Sequence, residues 1–343
     1  MIELPQLGMK ILPITVLMSV YNGSRWLDEA IQSVLNQTFI AFEFIIINDG
    51  STDNSLEIIN QFAAGDPRIV VINKLNTGLA DSLNQGIEQA RGEWIARIDA
   101  DDVCEPERLS KQYTCAQSTS SLVLIGTGLR EIDEQGRPGK VYLYPAAHKV
   151  LVRQLITARR FFAHSTAFYR TETVKALGGY RARIKRAQDW DLWLRLSEVG
   201  DMVCLSEPLV KLRKHAGQIS HDESGQRQKI DARVALISYY LRQHGFVDPV
   251  PTDDTDTDFD NFREWVAMRL KQERVFDYYS FIHKVKQQLT DGGISLKGLT
   301  GLATLLLREP GFVCRHFRQF VSGEELAQRL AAEWEARKMP CAE

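Results

Sequence analysis

The sequence predicts an α/β protein in which helices flank a mainly parallel sheet, with a helical extension at the C-terminal end. Over the first hundred residues, short apolar runs rich in β-branched side chains alternate with segments whose apolar residues recur at helical spacing. Strand–helix alternation of this kind builds a parallel sheet covered by helices on both faces. After about residue 224, helical patterns dominate. We therefore expect an α/β domain over residues 1–222 and a helical extension over residues 223–343.

The first half of the sheet is expected to contain four buried strands. Their apolar runs lack the polar alternation of half-exposed strands, which is typical of parallel strands buried on both faces. Apolar residues three and four apart predict a helix after each of the first three strands. The strands are predicted at residues 14–20, 42–47, 69–72 and 94–98, and the helices at 26–35, 56–62 and 79–90.

Beyond residue 105 the regular alternation lapses, so each element there is predicted separately. Helical spacing appears at residues 107–117 and again at 188–199, where apolar side chains lie almost all round the helix and predict deep burial. Strands are expected at residues 122–125 and 163–169, a polar turn at 131–139 and an extended closing segment at 202–212.

Composition limits the function classes before any motif is considered. The 343 residues carry a formal net charge of −2, which gives no basis for a nucleic-acid partner. The 5 cysteines show no C-x-x-C spacing, so we expect reduced thiols in a cytosolic protein rather than a disulfide framework or a zinc site. No basic and apolar leader and no uncharged apolar stretch of about 18 residues is visible, so neither a secretory signal nor a membrane span is expected.

Polar segments follow three of the predicted strands at the point where each strand ends. They are residues 19–21, 48–51 and 99–102. In open α/β sheets, ligands bind beyond the carboxyl ends of the strands, so these segments should converge on one crevice. The third segment contains Asp99 and Asp101, and such a carboxylate pair can share a hard divalent cation that keeps open positions for phosphate. For the triplet alone, a solvated turn is the alternative interpretation.

In their order along the chain, these segments resemble glycosyltransferase family 2, a group of inverting enzymes with the GT-A fold, which is Rossmann-like and binds nucleotide sugars. The resemblance covers roughly residues 10–222, and we find none for the tail beyond it. In two places, Asn48 and Gln188, this chain lacks an acidic residue that the family often has, but the Asp that follows each is present. The matching segments are residues 14–22, 47–53, 76–79 with 84–86, 97–102 with 106–109, 188–195 and 212–215.

The resemblance implies a Mg²⁺ or Mn²⁺ ion bound by Asp101, with Asp99 as a second ligand. The ion would neutralise the negative charge that grows on the diphosphate leaving group as the sugar is transferred. Carboxylate and phosphate oxygens are ligands suited to these two ions. His215 resembles a family residue that reaches the diphosphate or the metal from a closing loop, and its two basic neighbours in the sequence favour a phosphate-facing position. Asp102 either joins the metal site or starts the next turn, and both interpretations stay open.

The resemblance also places the donor nucleotide at the ends of the first three strands. Tyr21 would stack on the uracil of a UDP-sugar, with an ordinary turn aromatic as the alternative, and Asp49 would accept a hydrogen bond from the base N–H. Ser19, close to Tyr21 in sequence, is a further candidate to contact the nucleotide. Lys74 and Asn76 are candidates to meet the ribose or the phosphate, although each is equally credible as an ordinary exposed polar residue. We therefore expect the UDP-sugar to lie across this edge of the sheet.

Inversion at the sugar needs a base on the acceptor side of the ring, which removes the proton of the acceptor hydroxyl as it attacks. Asp189 is the candidate, because it begins a strongly apolar helix and can project into the pocket while the helix stays packed. From the pattern alone, Asp189 or Asp191 could equally cap that helix. The family resemblance favours Asp189 as the base, and Asp191 is expected to be structural.

The function expected from these features is metal-dependent, inverting transfer of a sugar from a UDP-sugar to a hydroxyl of a glycan or lipid-linked acceptor. The resemblance suggests bacterial surface-polysaccharide biosynthesis as the context. An NAD-dependent dehydrogenase would need G-x-G-x-x-G after the first strand, and residues 22–25 do not fit it. A sugar-1-phosphate nucleotidyltransferase and a non-catalytic sugar-nucleotide-binding protein are the alternatives. The sugar, the linkage and the oligomeric state are not predicted.

The extension carries two apolar segments with basic flanks, at residues 294–307 and 312–320. Such a surface can rest on a membrane face. The interpretation that we favour is that these helices pack against one another and against the main domain. The expected location is therefore cytoplasmic, with peripheral contact at the inner face of the cell membrane as the open alternative.

Overall fold

The computed structural model describes residues 12–144, 147–157, 161–215, 217, 225–250, 258–273 and 323–338. The chain divides into two compact units. Unit 1 consists of Met1–Leu155, Arg160–Ala182 and Gln188–Asp222, and unit 2 consists of Ile156–Arg159, Arg183–Ala187 and Glu223–Glu343. Two short segments from the predicted α/β domain thus belong to unit 2.

Unit 1 begins with four strands and three helices in alternation. They are β1 (Leu12–Val20), α1 (Leu27–Leu35), β2 (Phe42–Asp49), α2 (Ser55–Gly65), β3 (Ile69–Lys74), α3 (Leu79–Gln89) and β4 (Gly92–Arg97). The four strands are parallel, in the order β3-β2-β1-β4. Every residue of β2 is buried, which explains why its sequence lacks polar alternation. The predicted alternation over this part of the chain is confirmed.

The rest of unit 1 continues the same sheet with strands of both directions. Its elements are β5 (Val103–Cys104), α4 (Arg108–Ala116), β6 (Leu122–Ile132), β7 (Pro138–Tyr142), α5 (His148–Ile156), β8 (Phe168–Arg170), α6 (Thr171–Ala176), α7 (Gln188–Ser197) and β9 (Asp201–Arg213). From β4 the order is β8-β6-β9-β5, and β7 pairs with β6. Because β8 is antiparallel to both of its neighbours, the sheet is parallel in its first four strands and mixed beyond them.

Several of these elements differ from the sequence prediction. Residues 163–169, predicted as one strand, instead form a 3-10 turn at His164–Thr166 and then the short strand β8. The elements β7, α5 and α6 have no counterpart in the prediction. Strand β7 is exposed along almost its whole length, so it carries no apolar pattern from which it could be recognised.

The short strand β8 brings the 3-10 turn next to the end of β4. Ala96 of β4 is opposite Phe168 of β8, and the two strands run in opposite directions. Trp94 stacks on Phe168 with ring centroids 5.2 Å apart, and both side chains are fully buried. Residues just before β8, among them Ser165, therefore lie beside the residues that follow β4.

From residue 225 onward, helices make up most of the described part of unit 2, as the sequence predicts for the extension. Its helices are α8 (Gly225–Gln243), α9 (Asp258–Gln272) and α10 (Gly323–Lys338). Trp265 and Trp334 pack with ring centroids 5.2 Å apart, and Arg269 forms an ion pair with Glu333 at 2.7 Å. Among the residues described, none of the helices is long and apolar enough to cross a membrane. The apolar segments predicted at 294–307 and 312–320 lie outside the described residues.

Candidate active site

The carboxyl ends of β1, β2 and β4 lie side by side at one edge of the sheet, because β1 pairs in parallel with both of the other strands. Ser19 is half-buried near the end of β1, and Tyr21, just beyond it, is 56% exposed. Asp49 ends β2, and Asp99 follows β4 by two residues. The polar segments after these strands therefore share one edge, as the sequence predicts.

Asp49 forms hydrogen bonds with both Lys74 and Asn76 where β2 and β3 end, and we name these three residues the Asp49 latch. The buried Asp49 carboxylate accepts hydrogen bonds from Lys74 Nζ and from the backbone amides of Thr77 and Gly78, both at 3.0 Å. Asn76 Nδ2 donates to the carbonyl oxygen of Asp49 at 2.9 Å. The latch thus fixes the loop that joins β3 to α3.

The charge of Asp49 is balanced inside the protein. Burial raises the pKa of the Asp49 carboxyl, but hydrogen bonds from Lys74 and the Thr77 amide outweigh this effect, and the net pKa lies below its usual value. The next residue, Gly50, has a φ of 71°, and a Cβ there would lie 2.6 Å from the Asn76 amide nitrogen, so only glycine fits beside the latch. The predicted hydrogen bond from Asp49 to a uracil stays a prediction.

Three carboxylates, Asp99, Asp101 and Asp102, gather directly after β4, and we name them the strand-end cluster. One oxygen of each lies within 4.8 Å of the others. Asp99 accepts two hydrogen bonds from the buried guanidinium of Arg97, and Ser165 Oγ donates to it at 2.7 Å. Burial raises the pKa of the Asp99 carboxyl, but the charge and hydrogen bonds of Arg97 lower it more, so the net shift is downward.

Asp101 and Asp102 have weaker partners than Asp99 has. Asp101 Oδ2 lies 2.8 Å from Nε2 of His215, and Asp102 accepts a hydrogen bond from the backbone amide of Arg213 at 2.8 Å. Burial and the charge of Asp99 raise the pKa of Asp101. Burial and the charges of Asp101 and Asp99 raise the pKa of Asp102 well above its usual range. With all three carboxylates ionised, the cluster would hold more negative charge than the side chains around it offset.

This donor set fits a hard divalent cation. The cluster offers carboxylate oxygens from three residues, and the imidazole of His215 lies against one of them. Mg²⁺ and Mn²⁺ take ligands of this kind, and a cation between like charges removes their mutual repulsion. Within the part of the chain that the structure describes, this is the one group of three or more such side chains that is close enough to hold an ion.

The predicted base, Asp189, lies in the first turn of α7. Its side chain is half-buried, and Oδ1 accepts a hydrogen bond from the backbone amide of the next residue, Trp190, at 2.8 Å. Burial raises the pKa of the Asp189 carboxyl, although the Trp190 amide and the charge of Arg97 act in the opposite direction. The structure thus supplies a carboxylate with raised basicity at the start of a packed helix.

Asp191, two residues further along α7, is in a different environment. It is fully buried and forms ion pairs with both Arg181 and Arg195. Arg195 also donates to the carbonyl oxygens of Leu177 and Gly179, at 2.8 Å and 2.7 Å. This network ties α7 to the segment that follows α6, which agrees with the structural role expected for Asp191.

Comparison with known proteins identifies the family. The family model for glycosyl transferase family 2 matches residues 15–178. EpsE of Bacillus subtilis, named as a glycosyltransferase, is 37% identical over 206 residues, which cover 59% of this chain and 73% of EpsE. The O-antigen biosynthesis glycosyltransferase WbnJ of Escherichia coli is 32% identical over 234 residues, which cover 67% of this chain and 88% of WbnJ. The chain belongs to glycosyltransferase family 2.

This glycosyltransferase has the GT-A fold. The crystal structure of S. aureus TarS residues 1–349 in complex with UDP-GlcNAc matches it with a TM-score of 0.57 and 20% identity, over 67% of each chain. At that identity the likeness concerns the fold alone. The family and the fold predicted from the motifs are both confirmed, and relatives of this enzyme act in bacterial polysaccharide biosynthesis.

The structure of this glycosyltransferase sorts the predicted site residues into separate groups. Asp99, Asp101 and His215 meet at the strand-end cluster, and Asp49, Lys74 and Asn76 meet in the latch. Tyr21 and Ser19 lie at the end of β1, and Asp189 lies at the start of α7. The individual roles assigned to these residues stay predictions.

Sequence reasoning missed two residues that act on the cluster. Ser165 contacts Asp99 although the two are 66 positions apart, and no local pattern marks it. Arg97 belongs to a recognised segment but received no role. The sequence did contain a sign of its role, since Arg97 ends an apolar strand and a buried arginine needs a charged partner.

Proposed function

We propose that this enzyme transfers a sugar from a UDP-sugar to a hydroxyl of a glycan or a lipid-linked sugar, with a divalent cation and with inversion at the sugar. The observation that carries the proposal is the strand-end cluster, in which carboxylate oxygens of three residues lie within 4.8 Å of one another. Unbalanced buried charge is costly unless a cation offsets it, and ligands of open α/β sheets bind at the strand ends.

Within the cluster, Asp101 is the best-placed ligand for the cation. Its side chain is 29% exposed, and the imidazole of His215 lies against it. Asp99 already shares both oxygens with Arg97, so it would contribute to the cation site with its remaining lone pairs. When bound, the cation supplies positive charge for the developing diphosphate. His215 would complete the ligand set or donate to the diphosphate.

The nucleotide is proposed to lie across the ends of β1 and β2. The exposed ring of Tyr21, next to Ser19, offers an apolar face for stacking on the uracil. The Asp49 latch fixes the loop after β3, in which Asn76 is exposed and can meet the ribose or the phosphate. TarS, which shares the fold, is described in complex with UDP-GlcNAc, and this supports a UDP-sugar as the donor.

Asp189 is proposed as the base that takes the proton from the acceptor hydroxyl. Burial raises the pKa of its carboxyl, so the ionised form binds a proton more strongly than an ordinary aspartate does. With the hydroxyl held on the side of the sugar ring away from the diphosphate, attack inverts the anomeric centre. The leaving diphosphate then departs toward the strand-end cluster.

The acceptor class follows from the relatives rather than from the site. WbnJ is named for O-antigen biosynthesis. We therefore propose a glycan or lipid-linked sugar of bacterial surface-polysaccharide assembly as the acceptor. Action on a lipid-linked sugar would bring the enzyme to the inner face of the cell membrane from the cytoplasm.

A donor screen tests the proposal. The enzyme is incubated with UDP-hexoses, UDP-N-acetylhexosamines and matched GDP-sugars, with Mn²⁺ or with excess EDTA, and nucleoside diphosphate release is measured. We expect release of UDP from at least one UDP-sugar, in Mn²⁺ only. The anomeric configuration of the glycoside formed on an added hydroxyl acceptor, measured by NMR, tests inversion.

Three results would contradict it. Release that persists in excess EDTA would refute the cation. Turnover of GDP-sugars alone would refute the UDP donor. A product with the anomeric configuration of the donor would refute inversion and with it the role of Asp189.

A further inference from the structure

Arg213, the last residue of β9, is one of the two basic residues that precede His215, and its side chain is buried. Its side chain is 1% exposed. Nε donates to the carbonyl oxygen of Asp101 at 3.0 Å, Nη1 to that of Asp133 at 3.2 Å, and Nη2 to Glu29 Oε2 at 2.5 Å. The guanidinium thus connects α1, the residues after β6 and the residues after β4.

The same residue also reaches the strand-end cluster through its backbone. The Arg213 amide donates to Asp102 Oδ1 at 2.8 Å, while its side chain holds the carbonyl oxygen of Asp101. Two of the three cluster residues are therefore fixed to the end of β9 by one arginine. The next amide, that of Lys214, donates to Ile132 in β6 at 2.8 Å, so the backbone stays attached to the sheet up to this point.

His215 follows immediately and is supported by the ring of Trp26. The imidazole lies 4.5 Å from the Trp26 ring, and the guanidinium of Arg213 lies 5.5 Å from the same ring. Trp26 is itself held, because its Nε1 donates to the carbonyl oxygen of Glu134 at 3.2 Å. Arg213 and Trp26 therefore set the direction from which His215 approaches Asp101.

We propose that Arg213 is a positioning residue of the cation site, which fixes Asp101 and Asp102 to the end of β9 and so holds His215 against Asp101. This inference rests on the proposed function. It assigns Arg213 no contact with the cation or the nucleotide. A lysine could not replace it, because one ammonium group cannot reproduce the planar fork that reaches three separate acceptors.

The expected magnitude follows from how such residues act in metal sites. Side chains that orient metal ligands typically contribute about 10–100-fold to metal affinity. We expect Arg213→Lys to weaken Mn²⁺ binding by about that factor. The effect should depend on His215, because Arg213→Lys keeps the backbone bond to Asp102 and loosens the side-chain bond that holds Asp101 opposite His215.

A double-mutant cycle on the full chain tests this. Free Mn²⁺ is measured by EPR during titration of the wild type, Arg213→Lys, His215→Ala and the double variant, each with saturating UDP. We expect the double variant to bind Mn²⁺ no more weakly than the weaker single variant, because the two residues act as one unit.

The matched control is Arg68→Lys. Arg68 donates to the Asp66 carboxylate and to the carbonyl oxygen of Leu35, and it packs over the Phe42 ring at 4.5 Å, away from the cluster. It therefore resembles Arg213 in chemistry but not in location. We expect Arg68→Lys to bind Mn²⁺ as the wild type does.

The inference would be overturned if Arg213→Lys bound Mn²⁺ with wild-type affinity. It would also be overturned if the fold-loss of Mn²⁺ affinity in the double variant equalled the product of the two single fold-losses. A wild type that binds no Mn²⁺ would instead refute the proposed function. If thermal melting shows that Arg213→Lys does not fold, the Mn²⁺ affinity of Glu29→Ala tests the inference instead. Glu29 is half-exposed, and losing its ion pair with Arg213 should weaken Mn²⁺ binding by about threefold. Unchanged binding would overturn the inference.

Discussion

The strand-end cluster and the first turn of α7 are two charged regions of unit 1 with opposite charge balance. At the cluster, three carboxylates share Arg97, His215 and the amide of Arg213. In α7, a single carboxylate, Asp191, is paired with two arginines. Full ionisation would thus leave the cluster with an excess of negative charge, whereas in the α7 network the arginines outnumber the carboxylate.

This difference separates carboxylates that hold the fold from those available for chemistry. A buried carboxylate with complete arginine pairing stabilises the packing around it, and it has little basicity to offer a substrate. A carboxylate whose pKa is raised by burial or by like charges is the usual candidate for a site. On this criterion Asp101 and Asp189 are the carboxylates proposed for the site, whereas Asp191, paired with two arginines, is expected to stabilise the fold.

The largest effect is expected from Asp101→Ala. Sugar transfer should fall below detection, because the cation loses its best-placed ligand, while the free energy of unfolding stays the same or rises as one repulsive charge leaves the cluster. Transfer is measured with the donor found in the screen, and stability by urea denaturation. Transfer at the wild-type rate would show that the cluster is not the cation site.

Asp189→Asn should lower kcat by about 10²–10⁴-fold, because the amide keeps the shape of the side chain but cannot take a proton. The Kd of UDP should change little, since Asp189 is proposed to face the acceptor. Single-turnover kinetics and calorimetric titration of UDP separate the two quantities. A weaker Kd with normal turnover of bound donor would refute the role of base.

An Asp→Asn substitution at position 191 should lower stability and leave turnover nearly unchanged, the reverse of what is expected at position 189. Asp191→Asn leaves Arg181 and Arg195 buried without their carboxylate, and breaking a buried ion pair costs about 3–5 kcal/mol of unfolding free energy. Donor turnover per folded molecule should be nearly unchanged. If Asp191→Asn were as stable as Asp189→Asn, the distinction between the two carboxylates would be lost.

A smaller effect is expected from Ser165→Ala, which removes the hydroxyl that donates to Asp99 at 2.7 Å. Mn²⁺ affinity should fall by about tenfold, because Asp99 is then held by Arg97 alone. Thr166→Val is the control, since its hydroxyl donates to the carbonyl oxygen of Ala163 at 2.8 Å and not to the cluster. Equal losses in both variants would mean that the turn, not the Asp99 contact, matters.

The smallest effect concerns the pH dependence of stability at Asp189. Burial raises the pKa of this carboxyl in the folded protein, so ionisation costs the folded state free energy. The stabilising contribution of the protonated form is present below the usual pKa and is lost as pH rises through the raised value. Asp189→Asn should therefore be more stable than the wild type at neutral pH and equally stable in acid. Urea denaturation across this range checks it, and a wild type that gains stability relative to the variant with rising pH would contradict it.

The sequence alone determined the parallel half of the sheet and the edge of that sheet at which the candidate site residues lie. Strand β2 is buried along its whole length and β1 and β4 along most of theirs, so their apolar pattern is local and strong. Asp99 and Asp101 follow directly from where β4 ends. Convergence of the strand ends is a general property of parallel sheets. These features need no knowledge of distant contacts.

The tertiary structure decided which charges are paired and which are not. Three such features involve residues that are distant in sequence or lie on different elements. They are the ion pair of Asp191 with Arg181, the contact of Ser165 with Asp99, and the buried contacts of Arg213. They depend on the antiparallel entry of β8 beside β4 and on the path of β9, and neither follows from local periodicity. The sequence does not show whether a charged side chain is solvated, paired or buried without a partner. The packing around that side chain sets the free energy of its charged form and its pKa.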